Sequence, residues 1–213
     1  MEIMIKELLE NLLDERGPGP YPSFSIIHLL KAFELIAERG PVGRGKLSSE
    51  LKLGEGAIRT LIGRMKDAEL VTVSKPGCSL TSKGEKIWRE FKSIFPRKVK
   101  LEKSELSLAS YDVAALIRGC GHKVGAGIGQ RDAAIKAGAE GAITLIFKDK
   151  KLTLPTISEN VAIDYPIVYN QITRLMDLRE NDVVIIGSAD TLSEAEYGTL
   201  AAAWSIINDW VKA

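Results

Sequence analysis

The sequence has little cysteine and histidine, with two residues of each among 213. Cys78 and Cys120 lie in separate halves of the chain, which argues against the disulfide framework of a small secreted domain. His28 and His122 add too few ligands to complete a Cys/His zinc site. We therefore expect a protein of a reducing compartment that carries neither a metal ion nor a cofactor.

Long uncharged apolar runs are absent as well. Charged residues interrupt each apolar stretch before the roughly 20 residues that a membrane-spanning helix needs. The N-terminal stretch MEIMIKELLENLLDERG carries acids throughout, unlike a signal peptide. The composition, 45% hydrophobic and 27% charged residues, is typical of a globular protein long enough for two small domains. These features predict a cytoplasmic protein without membrane contact.

Charge is distributed unevenly, although the formal net charge is only +1. Residues 39–98 hold 14 Lys and Arg against 6 Asp and Glu, a net charge of +8, whereas residues 100–213 hold 12 against 15, a net charge of −3. A local basic field suits a polyanion, and the acidic remainder suits a small-molecule or protein-contact domain. On charge alone, a solvated surface is the simpler interpretation.

Residues 23–70 have the apolar periodicity of three helices. From Ser23, SFSIIHLLKAFELIAERG repeats apolar residues at helical spacing until Gly40 and Pro41 end the helix. A shorter helix follows in RGKLSSELKL, then a glycine-containing turn, then a helix in AIRTLIGRMKDAEL. The predicted buried stripe of this last helix is Ile58, Leu61, Ile62 and Met65. Two helices joined by such a tight turn form a helix-turn-helix.

Residues 70–95 predict a hairpin and a further helix. Leu70–Ser74 alternates like a strand, Lys75-Pro76-Gly77 has proline and glycine in the order of a type II turn, and the chain returns through CSLT. Ser82 and Glu85 then have the spacing of a capping box. The apolar face of the helix that follows is predicted to be Ile87, Trp88, Phe91, Ile94 and Phe95. The hairpin therefore has a basic tip and leads into a helix.

The order helix, helix-turn-helix, hairpin, helix over residues 23–95 resembles a winged helix-turn-helix domain. The LTSKG after the hairpin is similar to that of MarR-like and DtxR-like regulators. The resemblance implies a domain that binds double-stranded DNA through its second helix-turn-helix helix. The sequence departs from the family at Glu69, where such domains usually have a glycine that ends this helix in a left-handed turn. The departure concerns the end of the helix and not the fold.

The predicted DNA contacts lie opposite the buried stripe, on the hairpin tip and on the flanking segments. By the resemblance, Arg59, Thr60 and Arg64 would enter the major groove, and Lys75 would touch a minor groove or a phosphate. Arg44, Lys46 and Lys83 would hold backbone phosphates. The full predicted set is Arg44, Lys46, Glu55, Gly56, Arg59, Thr60, Gly63, Arg64, Lys75 and Lys83. The alternative is a winged helix that docks a protein without touching nucleic acid.

The second half predicts a separate domain. PRKVKLEKSEL, residues 96–106, is polar and opens with proline, as a connection between domains does. Strands and helices then alternate up to a long final helix with a capping box at Ser193 and Glu196, which predicts an α/β layer domain. The expected fold class is thus α/β, mixed α+β. The predicted divisions are an N-terminal helix and Gly/Pro loop at 1–22, a winged helix-turn-helix at 23–98, a linker at 99–106 and a ligand-sensing or dimerisation domain at 107–213.

The stretch GCGHKVGAGIGQRD, residues 119–132, is the densest cluster of glycine and charge in this half. Two apolar strands, ending at Arg118 and Gly187, lead into polar loops, and ligands of open α/β sheets bind outside the carboxyl ends of strands. The predicted site for a small polar or anionic ligand comprises Arg118, Gly119, Gly121, His122, Lys123, Gly125, Gly127, Gly129, Gln130, Arg131, Ser188 and Asp190. The spacing matches neither the dinucleotide fingerprint nor the phosphate loop.

Three other interpretations of this stretch remain. The glycines could serve only a tight turn. Cys120 could be a nucleophile with His122 as its base, oriented by Asp132 or Asp190. The Cys-Gly-His trio could belong to a metal or redox sensor, although no partner cluster supports it. Over these alternatives, the sequence favours the ligand site of a sensor, without catalytic residues.

Two terminal helices are candidates for joining two copies of the chain. Their apolar faces are Ile5, Leu8, Leu9, Leu12 and Leu13 in the first, and Tyr197, Leu200, Ala201, Trp204 and Ile207 in the last. Regulators that bind two-fold operators are usually dimers, so a homodimer is expected. Packing on the helix's own domain is the commoner alternative.

Over its full length, the chain resembles an archaeal family of winged-helix proteins whose C-terminal domain has no assigned function. RGCGHKVGAGIGQRDAAIKAGAEGAITLIF carries the resemblance of the second domain. We therefore expect a cytoplasmic transcriptional regulator that binds DNA and senses a small-molecule effector, and not an enzyme. The alternatives are an enzyme in the C-terminal domain, with the winged helix as an appendage, and a protein-docking adaptor.

Overall fold

The computed structural model describes residues 2–14 and 23–208. The chain divides into two compact units, Met1–Phe91 and Lys92–Ala213, called here the N-terminal unit and the C-terminal unit. Helices and one hairpin form the first, and a five-stranded sheet with its helices forms the second. The expected mixed α/β fold class is confirmed.

The elements of the N-terminal unit follow the predicted order. They are α1 (Glu2–Asp14), α2 (Ile26–Arg39), α3 (Arg44–Leu51), α4 (Glu55–Asp67), β1 (Val71–Ser74), β2 (Gly77–Leu80) and α5 (Ser82–Ile94). The predicted stripe on α4 is confirmed, because Ile58, Leu61, Ile62 and Met65 are all buried. α3 and α4 form the helix-turn-helix, and the antiparallel pair β1 and β2 forms the wing. The Gly/Pro loop predicted before α2 lies outside the described residues.

A backbone bridge ties the wing to the segment that precedes α3. The amide of Val42 donates to the carbonyl of Cys78 and the amide of Cys78 to the carbonyl of Val42, both at 2.9 Å. Gly77 makes this approach possible, since a Cβ atom there would lie 2.6 Å from the carbonyl carbon of Val42. Its φ of +142° also disfavours any residue with a side chain. The position of the wing is thus set by backbone contacts.

The turn of the wing differs from the predicted type II turn. Ser74 pairs with Gly77, so Lys75 and Pro76 are the two central residues. A type II turn would need proline in the first central position and glycine in the second. The prediction is wrong because the contact with Val42 holds Gly77 in β2, and the turn is centred one residue earlier.

The C-terminal end of α4 is closed by Glu69, which has a left-handed backbone conformation. Domains of the kind that this sequence resembles usually have a glycine at this position. The φ of Glu69 is +61°, and the amides of Glu69 and Leu70 donate to the carbonyls of Lys66 and Met65 at 2.8 Å each. The ammonium of Lys83 donates to the carbonyl of Ala68 at 2.8 Å. The departure at Glu69 therefore leaves the helix end intact, at the cost of a strained backbone conformation.

The N-terminal caps of α5 and α9 lie before the serines that the sequence predicts. The hydroxyl of Thr81 accepts from the amide of Gly84 at 3.0 Å, so Thr81 caps α5 in place of Ser82. The hydroxyl of Thr191 accepts from the amide of Glu194 at 3.2 Å and lies 2.6 Å from its carboxylate. The capping residue must stand just before the first helical residue, and Ser82 and the predicted Ser193 are already inside the first turn.

The C-terminal unit is a three-layer structure. Its strands are β3 (Arg97–Leu101), β4 (Tyr111–Ile117), β5 (Gly141–Lys148), β6 (Lys151–Thr153) and β7 (Asp182–Ala189). Its further helices are α6 (Ile128–Lys136), α7 (Val161–Asp164), α8 (Pro166–Leu175) and α9 (Leu192–Asn208). The sheet order is β3-β4-β7-β5-β6, and each neighbouring pair is antiparallel.

Alternate residues of the central strands face different helices. Leu116 and Val184, which are register partners, belong to a buried cluster with Val168 and Ile172 of α8. The opposite face meets α6 and α9, and there a Cβ atom at Gly187 would lie 2.4 Å from the hydroxyl of Thr199. Since side chains alternate across a strand, the mostly apolar β4 and β7 are buried on both faces.

The predicted linker is partly a strand. β3 pairs with β4 from Arg97↔Leu116 to Leu101↔Asp112, so the linker assigned to 99–106 begins inside the sheet. In β3, Val99 and Leu101 alternate with Lys98 and Lys100, so one face of this edge strand is charged. Because the segment is rich in charge, its composition is that of a linker, which is why the sequence predicts one over part of it. The division between the units falls at 91/92, within α5.

The two terminal helices pack on their own units. In α1, Leu9 and Leu12 are buried, and in α9, Leu200, Trp204 and Ile207 are buried. The side chain of Ile5 lies outside the described set. Homodimer formation stays a prediction, and these buried faces do not offer a surface for it. No helix among the described residues is long and apolar enough to span a membrane.

Replacing Glu69 by glycine should raise the stability of the N-terminal unit. Glycine adopts φ of +61° without the steric cost of a Cβ atom, so we expect the free energy of unfolding to rise by about 0.5–1 kcal/mol. Chemical denaturation monitored by circular dichroism would measure it. Glu69→Ala is the matched control, because it retains the Cβ atom and should bring no gain. An equal gain in both variants would show that backbone strain is not the cause.

The N-terminal cap of α2 predicts a pH dependence of stability. The amide of Ser25 donates to Nδ1 of His28 at 3.1 Å, and the Ser25 hydroxyl lies 2.8 Å from the same nitrogen. Burial, with a smaller effect of Lys31, lowers the pKa of His28. The unfolded chain therefore binds the proton first, and stability should decrease as the pH falls below about 6.5 towards the lowered pKa.

The variant His28→Gln isolates this contribution. Glutamine keeps an acceptor at the third helical position but does not titrate. The free energy of unfolding, measured by urea denaturation between about pH 7.5 and 5.5, should fall more steeply in the parent chain than in the variant. Parallel curves for the two proteins would contradict the assignment.

Candidate nucleic-acid interface

A groove of about 440 Å³ lies between α4, the start of α3 and the wing. It is lined by Gly43, Arg44, Gly45, Glu55, Arg59, Val73, Ser74, Lys75, Pro76 and Gly77. α4 is the helix that the resemblance assigns to the major groove. The groove therefore collects residues from each part of the winged helix-turn-helix that the sequence assigns to DNA.

Three cations line this groove: Arg44 at the start of α3, Arg59 on α4 and Lys75 at the wing tip. All three are exposed, and none forms an ion pair with any residue in the ranges 2–14 and 23–208. Glu55, in the first turn of α4, is the acid on the same wall. Burial raises the pKa of the Cys78 thiol, with a smaller opposing effect of Arg44, so this thiol is inert. The groove thus has a surplus of free positive charge.

Other predicted DNA contacts are engaged within the protein. The ammonium of Lys46 lies 2.8 Å from the carboxylate of Glu50, which also accepts from Arg39 at 2.9 Å. These two cations lower the pKa of Glu50. Lys83 donates to the carbonyl of Ala68 at the end of α4. Both lysines are exposed enough to leave these partners, but they do not line the groove.

Arg64 points away from the predicted interface. Its guanidinium donates to the carbonyls of Leu12 and Leu13 at 2.7 and 2.8 Å and lies over the ring of Phe24 at 5.5 Å. A cation at the last carbonyls of a helix is favourable, because those carbonyls have no partner inside the helix. The prediction that Arg64 enters the major groove is therefore corrected, and its contacts hold the end of α1.

The small residues of α4 behave as the sequence predicts. Gly56 and Thr60 are exposed, Gly63 is half-buried, and a Cβ atom at either glycine would meet no other atom within 4 Å. The hydroxyl of Thr60 donates to the carbonyl of Gly56 at 3.1 Å. Among the described residues, no side chain packs over these two glycines, so this face of α4 is open.

Two family models match the chain. Residues 30–86 match the model described as "PH0730-like, N-terminal domain", and residues 108–206 match "Domain of unknown function (DUF4443)". Among solved structures, the chain is similar to "Hypothetical protein PH0730 from Pyrococcus horikoshii OT3", with 26% identity and a TM-score of 0.70. The similarity covers 89% of this chain and 96% of that chain. No curated protein matches the chain.

These matches support the coarse part of the family resemblance. The C-terminal half matches a domain of unknown function, as the resemblance implies, and the match to an archaeal protein extends over both halves. The printed descriptions name no activity, ligand or partner. Function is therefore argued from the geometry of the sites.

The predicted ligand site of the C-terminal unit is divided between two ends of the sheet. β4 and β7 are antiparallel, with Tyr111 paired to Ala189 and Ile117 to Val183. Ser188 and Asp190 thus lie at the start of β4, about 20 Å along the strand from Arg118 at its end. The expectation that both strands end at one edge is wrong, because it holds for parallel strands only.

Arg118 is used to neutralise a buried acid. Its guanidinium donates to Asp182 at 2.5 Å and to the carbonyl of Asp177 at 2.7 Å. Asp182, 1% exposed, also accepts from the amides of Gly119 at 3.1 Å and Arg179 at 2.8 Å. A buried carboxylate needs such partners. Arg118 is therefore a structural residue and leaves little charge for a ligand.

The first part of the glycine-rich loop wraps around Asn181. The amide of Gly121 donates to the carbonyl of Asn181 at 2.8 Å, and the Asn181 side chain donates to the carbonyl of Gly119 at 2.9 Å. The same side chain lies 3.0 Å from Nδ1 of His122. A Cβ atom at Gly121 would lie 2.7 Å from the Asn181 side-chain oxygen. These glycines serve a tight turn, the alternative that the sequence left open.

The remaining predicted ligand residues do not form one site. Lys123 is half-buried, Gln130 is buried, and Gly125 and Gly129 face open space. Gly127 begins α6 with φ of +78°, and Arg131 pairs with Asp132 at 3.0 Å. At the other end, Ser188 donates to Asp112 at 2.5 Å and Asp190 accepts from Ser110 at 3.0 Å. Of these residues, Gly127 and Arg131 line a cavity at the start of α6.

The proposed Cys120 and His122 pair has no catalytic geometry. Cys120 is 1% exposed, whereas His122 is exposed and contacts Asn181. A buried thiol offers no nucleophile to a substrate. Within the described residues, no three His, Cys, Asp or Glu side chains come together as metal ligands.

Sequence reasoning missed several groove residues and one buried polar residue. Gly43 and Gly45 flank Arg44, and their repetition in VGRGK was the available signal. Val73 was assigned to an ordinary strand position, but it is 48% exposed on the groove wall. Thr144 lies in an apolar run, and nothing in the sequence distinguishes it.

Arg59 and Arg64 allow a direct test of these different placements. Arg64→Ala should lower the free energy of unfolding of the N-terminal unit by about 1–2 kcal/mol, since it removes charge-assisted hydrogen bonds at a part-buried site. Arg59→Ala on the same helix should change it by less than about 0.5 kcal/mol. Denaturant melts would measure both. Equal losses in the two variants would contradict the assignment.

Proposed function

We propose that the N-terminal unit binds double-stranded DNA and that the protein is a cytoplasmic transcriptional regulator. The observation that carries the proposal is the convergence of Arg44, Arg59 and Lys75 on one groove, with no ion-pair partner among the described residues. Exposed cations that no acid neutralises suit a polyanion, whose bound counterions they replace. The surplus of positive charge in residues 39–98 extends the same field.

The shape of the groove supports a duplex over a small anion. An α-helix fits the major groove of B-DNA, and the exposed face of α4 has no bulky side chain at Gly56 or Gly63. Lys75 at the wing tip and Arg44 at the start of α3 would then reach phosphates on either side. Arg59 and Glu55 would then contact base edges, where arginine prefers guanine and a carboxylate accepts from cytosine. Sequence specificity would therefore come from α4, and Lys75 and Arg44 would set the position of the protein along the duplex.

For the C-terminal unit we propose sensing of a small molecule and support of a homodimer. A ligand alters DNA affinity only if it binds two arrangements of the protein unequally, and typical coupling energies are about 1–3 kcal/mol. Because the apolar faces of α1 and α9 are buried, a dimer surface would lie on other parts of the chain.

Binding to the DNA upstream of the protein's own gene, compared with a random duplex over a range of salt, tests the DNA proposal. We expect sequence-selective binding that weakens steeply with salt. Arg44→Ala or Lys75→Ala should weaken binding to both duplexes and reduce the salt slope by roughly one per phosphate contact. Arg59→Ala should reduce selectivity by about 1–3 kcal/mol. Fluorescence anisotropy would measure each quantity.

Arg89→Ala is the matched control, since it removes an exposed arginine of the same unit outside the groove. It should bind DNA with nearly the parent affinity. Weak, equal binding to all duplexes, including those from a genome-wide selection, would reject DNA reading and favour protein docking. Equal losses for Arg89→Ala and the groove variants would show that only bulk charge matters.

A further inference from the structure

A cleft lies beside the outer edge of β5. β6 pairs with β5 only at Ile146, Phe147 and Lys148, so the segment before Ile146 has no strand on that side within the described ranges. A cavity of about 310 Å³ occupies this place. It lies at the lower end of the volumes of small-molecule sites. The cleft is therefore large enough to take a small ligand.

One buried hydroxyl in this cleft has no hydrogen-bond partner. Thr144 is 3% exposed, and the described residues provide no partner for its Oγ1. A Cβ atom at Gly127 would lie 3.5 Å from this Oγ1, so the hydroxyl faces the start of α6. Buried polar groups are nearly always paired, and an exception calls for an explanation such as a missing ligand.

The start of α6 adds further donors to the same place. α6 has no side-chain cap and no acid in its first turn. Its first amide bonded within the helix is that of Arg131, which donates to the carbonyl of Gly127 at 3.1 Å. The amides of the preceding three residues therefore have no helical partner and favour an anion. Arg131 also lines the cleft, with Asp132 beside it on the solvent side.

The rest of the cleft is mostly apolar. Its walls include Leu106, Leu108, Ile143, Leu154, Ile157 and Tyr165. Leu108 is 53% and Ile157 68% exposed, so two large apolar side chains of this wall face solvent. The segment that carries Leu108 is held by Asp112, which accepts from the hydroxyls of Ser107 and Ser188. The apolar wall is thus preformed and solvent-accessible, and it lies beside Thr144 and the start of α6.

We infer that this cleft binds a small carboxylic acid with an apolar body. The carboxylate would accept from the Thr144 hydroxyl and the first amides of α6, with Arg131 nearby, and the apolar body would cover Leu108 and Ile157. This site differs from the predicted sensor mouth at Arg118 and retains only Gly127 and Arg131 of the residues expected there, with Ile128 and Ala126 beside them. The inference deepens the proposed sensing function, but ligand binding itself is measured without DNA.

Isothermal titration calorimetry of the full chain with hexanoate, 1-hexanol and inorganic phosphate tests the inference. We expect hexanoate to bind, and hexanol and phosphate to bind at least tenfold more weakly, because each lacks one half of the recognition. Thr144→Val keeps the shape and removes the hydroxyl, so it should weaken hexanoate binding about tenfold. Its melting temperature should equal or exceed that of the parent, because no protein hydrogen bond is lost.

Thr153→Val is the matched control. Its hydroxyl lies on the adjacent strand and donates to the carbonyl of Ile146 at 3.1 Å, outside the cleft. Hexanoate affinity should be unchanged in this variant. Absence of hexanoate binding, equal binding of hexanol or phosphate, or equal effects of the two valine variants would each overturn the inference. DNA binding measured on the same preparations separates this outcome from failure of the proposed regulator function.

Discussion

The arrangement of the N-terminal unit depends on the backbone bridge between Val42 and Cys78. It joins the wing to the segment before α3, and it exists because Gly77 lets two stretches of backbone approach where no Cβ atom would fit. The wing tip therefore lies at a groove shared with α4 and the start of α3, which Lys75, Arg59 and Arg44 line. A backbone constraint of this kind does not depend on flexible side chains, so it can position cations that have no ion-pair partner among residues 2–14 and 23–208.

Charged residues of this chain divide into those that hold the fold and those that are left free. Arg64 and Arg118 were strong candidates from sequence, yet the first holds the end of α1 and the second neutralises the buried Asp182. A cation that satisfies carbonyls or a buried carboxylate is costly to withdraw for a ligand. Among the described residues, no such interaction engages Arg44, Arg59 or Lys75. These three cations and the hydroxyl of Thr144, which has no partner among the described residues, are therefore the groups on which the proposals rest.

The glycine-rich stretch combines two roles that its composition does not separate. Its first glycines close a turn around Asn181, where a side chain at Gly121 would collide with Asn181. Gly127 instead starts α6 in a left-handed conformation and leaves the first amides of the helix open beside Thr144. Identical residue types thus serve chain geometry at one end of the stretch and exposed donors at the other.

Local patterns determined much of this protein from sequence alone. The helices of the N-terminal unit, the buried stripe of α4 and the wing follow from apolar periodicity and turn residues, because these depend on neighbours along the chain. Periodicity does not determine the direction in which strands pair. Only the tertiary structure decided that β4 and β7 run antiparallel, which separates Ser188 from Arg118. It also decided that Arg64 contacts α1 and that Thr144 has no hydrogen-bond partner in the described part of the chain, since both depend on contacts between residues distant in sequence.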